Sequence, residues 1–366
     1  MPVLLEAAQA PTLAELLLFL KQQGLPAQLV TEAAATLRIQ GIGSLEHASP
    51  QEISFLSNPQ LQHQLEACNA AVVIMAPAVY EQLSASPRFA VVLHEQPYLL
   101  YALLAQWFDQ SRLNALPQTI HPSAVIDPSA QIGQGVSIGP FCVIEAHAQI
   151  GDYCRVGAGS VIGQHTQIGK QALIYPRVTL YHQITIGDRA IIHSGAVIGA
   201  DGFGFAPHPQ GGWAKIAQLG GVHIGNDVEV GANTTIDRGA LDNTIIGDGV
   251  KLDNQIMLGH NVHVGDHTAI AACVGVAGST HIGARCIVGG AAMISGHLHI
   301  ADDVQISGGT AVTASIKKSG RYSGVYPFAE HKQWQYNAAV ISQLSQLRKR
   351  LRSLERGVEL PNTKQE

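Results

Sequence analysis

An aliphatic residue recurs every six positions from Ile120 to Ile198. The series runs through Ile126, Ile132, Ile138, Ile144, Ile150, Val156, Ile162, Ile168, Ile174, Leu180, Ile186 and Ile192, and fourteen consecutive hits leave no room for chance. Such a period belongs neither to an amphipathic helix nor to a simple half-buried strand; it is the mark of a solenoid built from short repeats. Glycine often follows directly, as at Gly133, Gly139, Gly151, Gly157, Gly163, Gly169, Gly187 and Gly199, where it permits a tight corner. Two positions before each aliphatic stands another small or branched residue, among them Ala124, Ala130, Val136, Cys142, Ala148, Cys154 and Ser160. That i−2, i pairing turns both side chains to the same face of a short strand. The phase breaks after Ile198 and resumes at Ile224, Val230 and Ile236. It slips by four residues to Ile246, then runs from Leu252 through Leu258 and Val264 to Val312. The chain is therefore expected to be mainly β, with a parallel β-helix over 119–316.

The pattern resembles that of the hexapeptide-repeat proteins. The resemblance implies three hexads, roughly 18 residues, to a coil, and a left-handed winding that the usual crossover rule would not predict. Cys142, Cys154 and Cys286 fall on inward i−2 positions and read as core residues. With five cysteines and no CxxC pair, neither a disulfide framework nor a cysteine zinc site is expected. The break at 200–221 carries Phe203, Phe205, Trp213 and Lys215 among its glycines. A regular solenoid cannot absorb it, so it should protrude as a ligand-binding loop.

Residues 1–118 lack the period and read as a small α/β domain. Thr12 and Glu15 have capping-box spacing before a leucine-rich run that Gly24 would end. Ala71–Met75 and Phe89–Leu93 read as buried strands, and Gln96–Ser111 as a helix. Residues 317–366 form a basic helical segment, in which Val340, Leu344, Leu347, Leu351 and Leu354 alternate four-three spacing. So short a seam cannot bury itself alone, which points to self-association; docking on the chain's own prism is the other reading.

Charged residues are only 13% of the chain, against a usual share of about 25%. No apolar run approaches the roughly 18 residues of a membrane span, and no secretory leader is recognisable near Glu6. These observations lead to the expectation of a soluble, cytoplasmic protein. Nine of the 22 basic residues, but only two of the 27 acidic ones, lie between Lys317 and Arg356. A basic tail on an acidic body fits either an anionic partner or a solvated helix face.

The repeat also places the histidines. His260 stands two residues past Leu258 and His297 three past Ile294, two coils apart on one prism edge. At roughly 4.8 Å per coil they would be about 10 Å apart along the axis, with the small residues Gly278 and Ser279 between them. This resembles a substrate groove more than a packed edge. His263, His281 and His299 instead form an outward ladder. A zinc site would use such residues, with His267, but the ladder is regular rather than convergent and reads better as a surface or subunit interface.

Asn233–Leu241 (NTTIDRGAL), Asp253–Asn261 (DNQIMLGHN), Gly289–His297 (GGAAMISGH), Ile53–Pro59 (ISFLSNP) and Gly202–Phe205 (GFGF) resemble the UDP-3-O-acylglucosamine N-acyltransferases of lipid A biosynthesis. The similarity runs from about residue 12 to 355. It is specific, because the related O-acyltransferase begins directly at its Ile-His-Pro coil, here Ile120–Pro122, and lacks the first domain. The resemblance implies a homotrimer with active sites between prisms, needing no cofactor or metal. The donor would be a 3-hydroxyacyl thioester on acyl carrier protein and the acceptor the 2-amino group of UDP-3-O-acylglucosamine. His260 matches the catalytic base and His297 a second active-site histidine, and Asp253 lies where a carboxylate could support the base. Phe55 would stack on the uracil and Asn58 hydrogen-bond to it, although Leu61 replaces a second aromatic ring.

The chemistry agrees with those roles. An amine attacking a thioester must lose a proton, and an imidazole is suited to taking it. Backbone N–H groups at a glycine-rich corner such as Gly278 could hold the oxyanion. The basic tail could dock an acidic carrier protein. Gly308, Gly309, Thr310 and Ala311 could line an acyl channel. Competing readings are a trimeric zinc hydratase of carbonic-anhydrase type and a non-catalytic β-helix scaffold. A nucleotidyltransferase is disfavoured, since residues 1–118 hold no glycine-rich phosphate loop.

Overall fold

The structure, a computed structural model, describes residues 5–83 and 85–357. Contacts divide the chain into two compact units, Met1–Pro117 and Gln118–Glu366.

The first unit opens on helix Leu13–Gln22, started by the expected capping box. The Glu15 N–H donates to the Thr12 hydroxyl at 3.3 Å, and the Thr12 N–H donates to the Glu15 carboxylate at 2.7 Å. The helix ends at Gln22, and Gly24 takes a φ of +79° that costs glycine little. Leu13, Leu16 and Leu20 are buried against a five-stranded sheet in the order Gln28–Leu29, Ala90–Leu93, Val72–Met75, Glu52–Leu56, Gly41–Ile42. Only the edge strand Gln28–Leu29 is antiparallel. Val72–Met75 is buried along its whole length, as its unbroken apolar run requires. Helix Pro97–Asn114 begins one residue later than expected and runs three residues further; it adds Leu100 and Leu104 to the same core.

The second unit is the expected left-handed parallel β-helix. Its first face holds ten strands from Val125–Ile126 to Ala311–Val312, its second nine from Gln131–Ile132 to His299–Ile300, and its third ten from Ser137–Ile138 to Gly320–Tyr322. Ile132, Ile150 and Ile168 stack in register, one full coil apart, and the other columns repeat this. The aliphatics fill the prism, and Cys142, Cys154 and Cys286 point inward as the i−2 rule demands. Burial pushes the Cys154 thiol up to about 11, so it is an inert core group. All five cysteines are free.

The corners work differently from the sequence expectation. The glycine after each aliphatic is not, as a rule, the residue that turns the chain. A Cβ on Gly151 would lie 2.7 Å from the Gly169 backbone of the next coil, so glycine is needed there for close approach. The left-handed conformation falls two residues later and is carried mostly by other residues, Asn261 (+58°), Ser279 (+58°) and His297 (+60°) among them. That conformation is unfavourable for such residues. It is offset by a bond to the coil below, as when Ser279 N–H donates to His260 O at 2.9 Å.

The insert leaves the prism as expected but is more ordered than a loop, forming a hairpin of Phe205–Pro207 with Trp213–Lys215. Phe203 and Trp213 stand 86% and 72% exposed. After the prism come helices His331–Ser342 and Leu344–Gly357. Their apolar residues Val340, Ile341, Leu344, Leu351 and Leu354 are exposed, so the seam is not docked on this chain's own prism.

Candidate active site

His260 lies at the corner between the first and second faces, directly after strand Met257–Leu258. Both irregularities of the hexad pattern fall at this same corner: the insert joins Val197–Asp201 to Val222–Ile224, and the four-residue slip joins Thr235–Arg238 to Thr244–Ile246. The two coils below His260 therefore widen the edge into a ledge, while the coils above it are regular. The exposed apolar side chains of Phe203, Trp213, Leu219 and Leu241 belong to these widened segments.

The imidazole is fixed from both sides. Its Nδ1 is 3.0 Å from Asn261 Oδ1. That oxygen also accepts from Ala240 N–H at 2.9 Å, while Asn261 Nδ2 donates to Asp242 O at 3.0 Å. Those two bonds determine which way the Asn261 amide points, so Nδ1 must carry the proton and Nε2 the lone pair. Nε2 lies over Gly278, one coil up: a Cβ there would be 2.7 Å from Nε2. From below, Gly202 approaches so closely that its Cβ would meet His260 Cβ at 2.5 Å. Only glycine fits at either position with the ring where it stands. The Gly278 N–H donates to no group among the described residues, leaving a free backbone donor beside a basic nitrogen.

His297 occupies the same corner two coils above His260, its N–H donating to Gly278 O at 3.1 Å. Sequence spacing thus puts His260, Gly278 and His297 on one edge, as expected. Asp253 is elsewhere. It follows strand Lys251–Leu252 of the third face, so it stands at the preceding corner, one whole face away from His260. Its carboxylate accepts from Asn254 N–H at 2.7 Å and Ala272 N–H at 3.1 Å. It also lines a groove of about 600 Å3 with His193, Glu229 and Lys251. Within one chain it therefore stands away from His260, because six residues of sequence carry the chain across one face of the prism.

The carboxyl that senses His260 is Asp237, inside the quoted Asn233–Leu241 motif but not singled out there. Burial pushes it up to about 6; the His260 charge opposes this, and Asp201 adds to it. Beneath it, Arg238 is fully buried and donates through Nε to Gly220 O at 2.7 Å and through Nη2 to His182 O at 3.0 Å. Its Nη1 also contacts His182 Nε2. Burial and the adjacent guanidinium lower the His182 pKa, which keeps that ring a neutral acceptor. The pair ties the returning end of the insert to the prism.

In the first unit, Phe55 is the penultimate residue of strand Glu52–Leu56 and stacks on Tyr101 at 4.0 Å, with Tyr98 6.1 Å away. One face of Phe55 is thus already covered, by a ring that the sequence reading did not foresee. Asn58 caps helix Pro59–Glu66, its Oδ1 accepting from Gln60 N–H at 3.0 Å, while its Nδ2 has no hydrogen-bond partner among the described residues. Leu61 is 39% exposed.

The histidine ladder is real: His263 and His281 rings are 4.3 Å apart, His281 and His299 rings 4.8 Å. The rings lie side by side. Among the described residues no group of three or more His, Cys, Asp or Glu is arranged to hold a metal, and nothing supports the zinc hydratase reading.

Residues 36–107 match the family description UDP-3-O-(3-hydroxymyristoyl) glucosamine N-acyltransferase, and 129–164, 165–200 and 243–278 match bacterial transferase hexapeptide repeats. The UDP-3-O-acylglucosamine N-acyltransferase of Bordetella pertussis is 60% identical over 97% of this chain and 100% of its own. The chain belongs to this family. A Pseudomonas aeruginosa UDP-3-O-acylglucosamine N-acyltransferase is 56% identical over 88% of this chain and 89% of its own. Among solved structures, an Arabidopsis UDP-N-acetylglucosamine acyltransferase shares the fold, with TM-score 0.51 and 24% identity over 67% of this chain and 86% of its own. The two family matches fall on the two units of the chain, one in the first unit and the other along the prism. No helix among the described residues is long and apolar enough to cross a membrane.

Proposed function

We propose that this chain transfers a 3-hydroxyacyl group from acyl carrier protein to the 2-amino group of UDP-3-O-acylglucosamine, with His260 as general base. The observation that carries the reading is the orientation of His260, whose Nδ1 proton is held by Asn261 and whose Nε2 lies beside the free N–H of Gly278. The acceptor nitrogen attacks the thioester carbonyl, forming the C–N bond, and its proton passes to Nε2. The Gly278 N–H donates to the oxyanion of the tetrahedral intermediate. Collapse breaks the C–S bond, and the imidazolium returns its proton to the leaving sulfur. His297, two coils above on the same edge, is the second histidine we assign to the site.

A homotrimer fits this reading. The apolar side chains around His260 and the uncovered helical seam beyond residue 340 are surfaces that further copies of the chain would bury. Arg348, Lys349, Arg350, Arg352 and Arg356 line helix Leu344–Gly357 and offer an acidic carrier protein a complementary surface. Phe55 and the free amide of Asn58 are the groups we assign to the uracil, Phe55 by the face that Tyr101 leaves open. The reaction is assigned to the cytoplasm, where carrier-bound donor and nucleotide acceptor would meet.

Thiol release from 3-hydroxyacyl carrier protein, with UDP-3-O-acylglucosamine or UDP-N-acetylglucosamine as acceptor, tests the reaction. Release is expected only with the former; release with neither, over a range of acyl lengths, would refute it. His260→Ala is expected to lower turnover by about 10²–10⁴-fold, the usual worth of a general base, with the assembly intact.

A further inference from the structure

We propose that Asp237 accepts a hydrogen bond from the acceptor's amino group and thereby selects an amine over a hydroxyl; this deepens the N-acyl transfer reading and rests on it. In strand Thr235–Arg238 burial alternates, so Ile236 and Arg238 point into the prism while Thr235 and Asp237 face out of it. Ile236 pairs with Leu258, and continuing that register one residue brings Asp237 beside Gly259, the neighbour of His260. Above it the outward column continues through Ala277 and Ser295, both small, so the space over the carboxyl is open along the edge.

The charges around it are otherwise matched. Asp201, on the adjoining strand, is paired with Lys215 of the hairpin. Arg238 points inward and is spent on Gly220 and His182. His260 is the remaining titratable neighbour that affects Asp237, and its Nδ1 is held by Asn261. Asp237 alone has no hydrogen-bond or ion-pair partner among the described residues, although it is largely shielded from water. A carboxyl in that position is costly unless a donor arrives to meet it.

The acceptor supplies that donor. A hydroxyl has a single hydrogen, which must go to the base. An amine has at least two, so one N–H can face His260 Nε2 while another donates to Asp237, leaving the lone pair directed at the thioester carbon. A hydroxyl presented to the same corner would leave Asp237 unmatched.

The test compares wild type, Asp237→Asn and Asp237→Ala, using UDP-3-O-acylglucosamine and its 2-hydroxy counterpart UDP-3-O-acylglucose. For the amine, kcat/KM is expected to fall about tenfold in Asp237→Asn, since a charged acceptor becomes neutral, and further in Asp237→Ala; preference for amine over hydroxyl should fall with it. Below about pH 6, where Asp237 protonates, the wild-type preference for the amine should fall, and Asp237→Asn should lack that dependence. Thermal unfolding at pH 7.5 should show both variants at least as stable as wild type, because a shielded charge has gone. Unchanged selectivity with an unchanged pH dependence in a folded variant would overturn the proposal. Failure of the wild type to use the amine at all would overturn the transfer reading instead.

Discussion

Replacing Gly278 by alanine tests whether the imidazole works from the position in which it stands. A Cβ at Gly278 would lie 2.7 Å from His260 Nε2, 2.9 Å from Cε1 and 3.0 Å from Cδ2, whereas ordinary contact begins at 3.4 Å. The ring must therefore retreat by about 0.7 Å, the difference between 3.4 and 2.7. It is the free end of a side chain, so it yields by rotation, at about 0.5–1.5 kcal/mol for an off-rotamer angle. The backbone at Gly278 is not in the left-handed region, and its N–H is kept, so the fold and the oxyanion donor survive. A displacement near 1 Å from the reacting geometry costs about 10²-fold, or about 2.7 kcal/mol at 1.36 per decade. Thiol-release kinetics should show that loss mainly in kcat, with the unfolding temperature nearly unchanged. Gly290→Ala is the control. Its Cβ would meet Ala272 O at 3.1 Å at another corner, a comparable crowding away from His260, and it should leave kcat/KM as it was. Wild-type turnover in Gly278→Ala would refute the argument, because a base that tolerates that displacement does not act from this groove.

Two further outcomes follow from the same structure. Reversing charge at Arg348 and Arg350 should weaken carrier-protein binding at least tenfold at low salt, an effect of about 1.4 kcal/mol that fades as salt is added; an unchanged dissociation constant measured by calorimetry would exclude this helix as the dock. Ala311 stands outward in the first-face column above Met257, Gly275 and Met293, so Ala311→Met should shorten the acyl chains accepted, and an identical chain-length profile would remove residue 311 from the channel.

The prism was legible because its physics is local and repeated: each hexad supplies one aliphatic to the interior, and a column of them needs no long-range information. The same rule placed Cys142 and Cys154 correctly and put His260, Gly278 and His297 on one edge. Asp253 shows what the rule does not carry. Corner identity depends on counting hexads in threes, and Asp253 follows a third-face strand while His260 follows a first-face one. Asp237 was hidden by the slip itself. The regular spacing between stacked residues gives way at the irregular coils, where Ile198 pairs with Ile236 and Ile236 with Leu258, so a count from His260 by whole coils misses its neighbour. Tyr101 was hidden for another reason: helix Pro97–Asn114 and strand Glu52–Leu56 meet only through tertiary packing, which no periodicity encodes.

The two breaks in the repeat carry the signal that periodicity lacks. A solenoid gains its stability from uniform stacking, so departures from it are costly and remain only where something else requires them. Here both departures fall on one of three corners, in the two coils directly beneath His260. The insert brings Gly202 against the imidazole and Asp201 toward Asp237. The slip supplies Ala240 and Asp242, whose backbone groups orient Asn261 and, through it, the tautomer of His260. Arg238 is buried at the foot of the same ledge, bonded to Gly220 and to the more exposed His182, a charged group in a prism otherwise filled by aliphatics and small hydroxyls. The regular coils thus provide rigidity, and the irregular ones convert one edge of a uniform rod into a corner with an oriented imidazole and, among the described residues, a free N–H and an unmatched carboxyl. In a hexapeptide prism, the corner at which the repeat is broken more than once is therefore the place to look for the chemistry, before any histidine is counted.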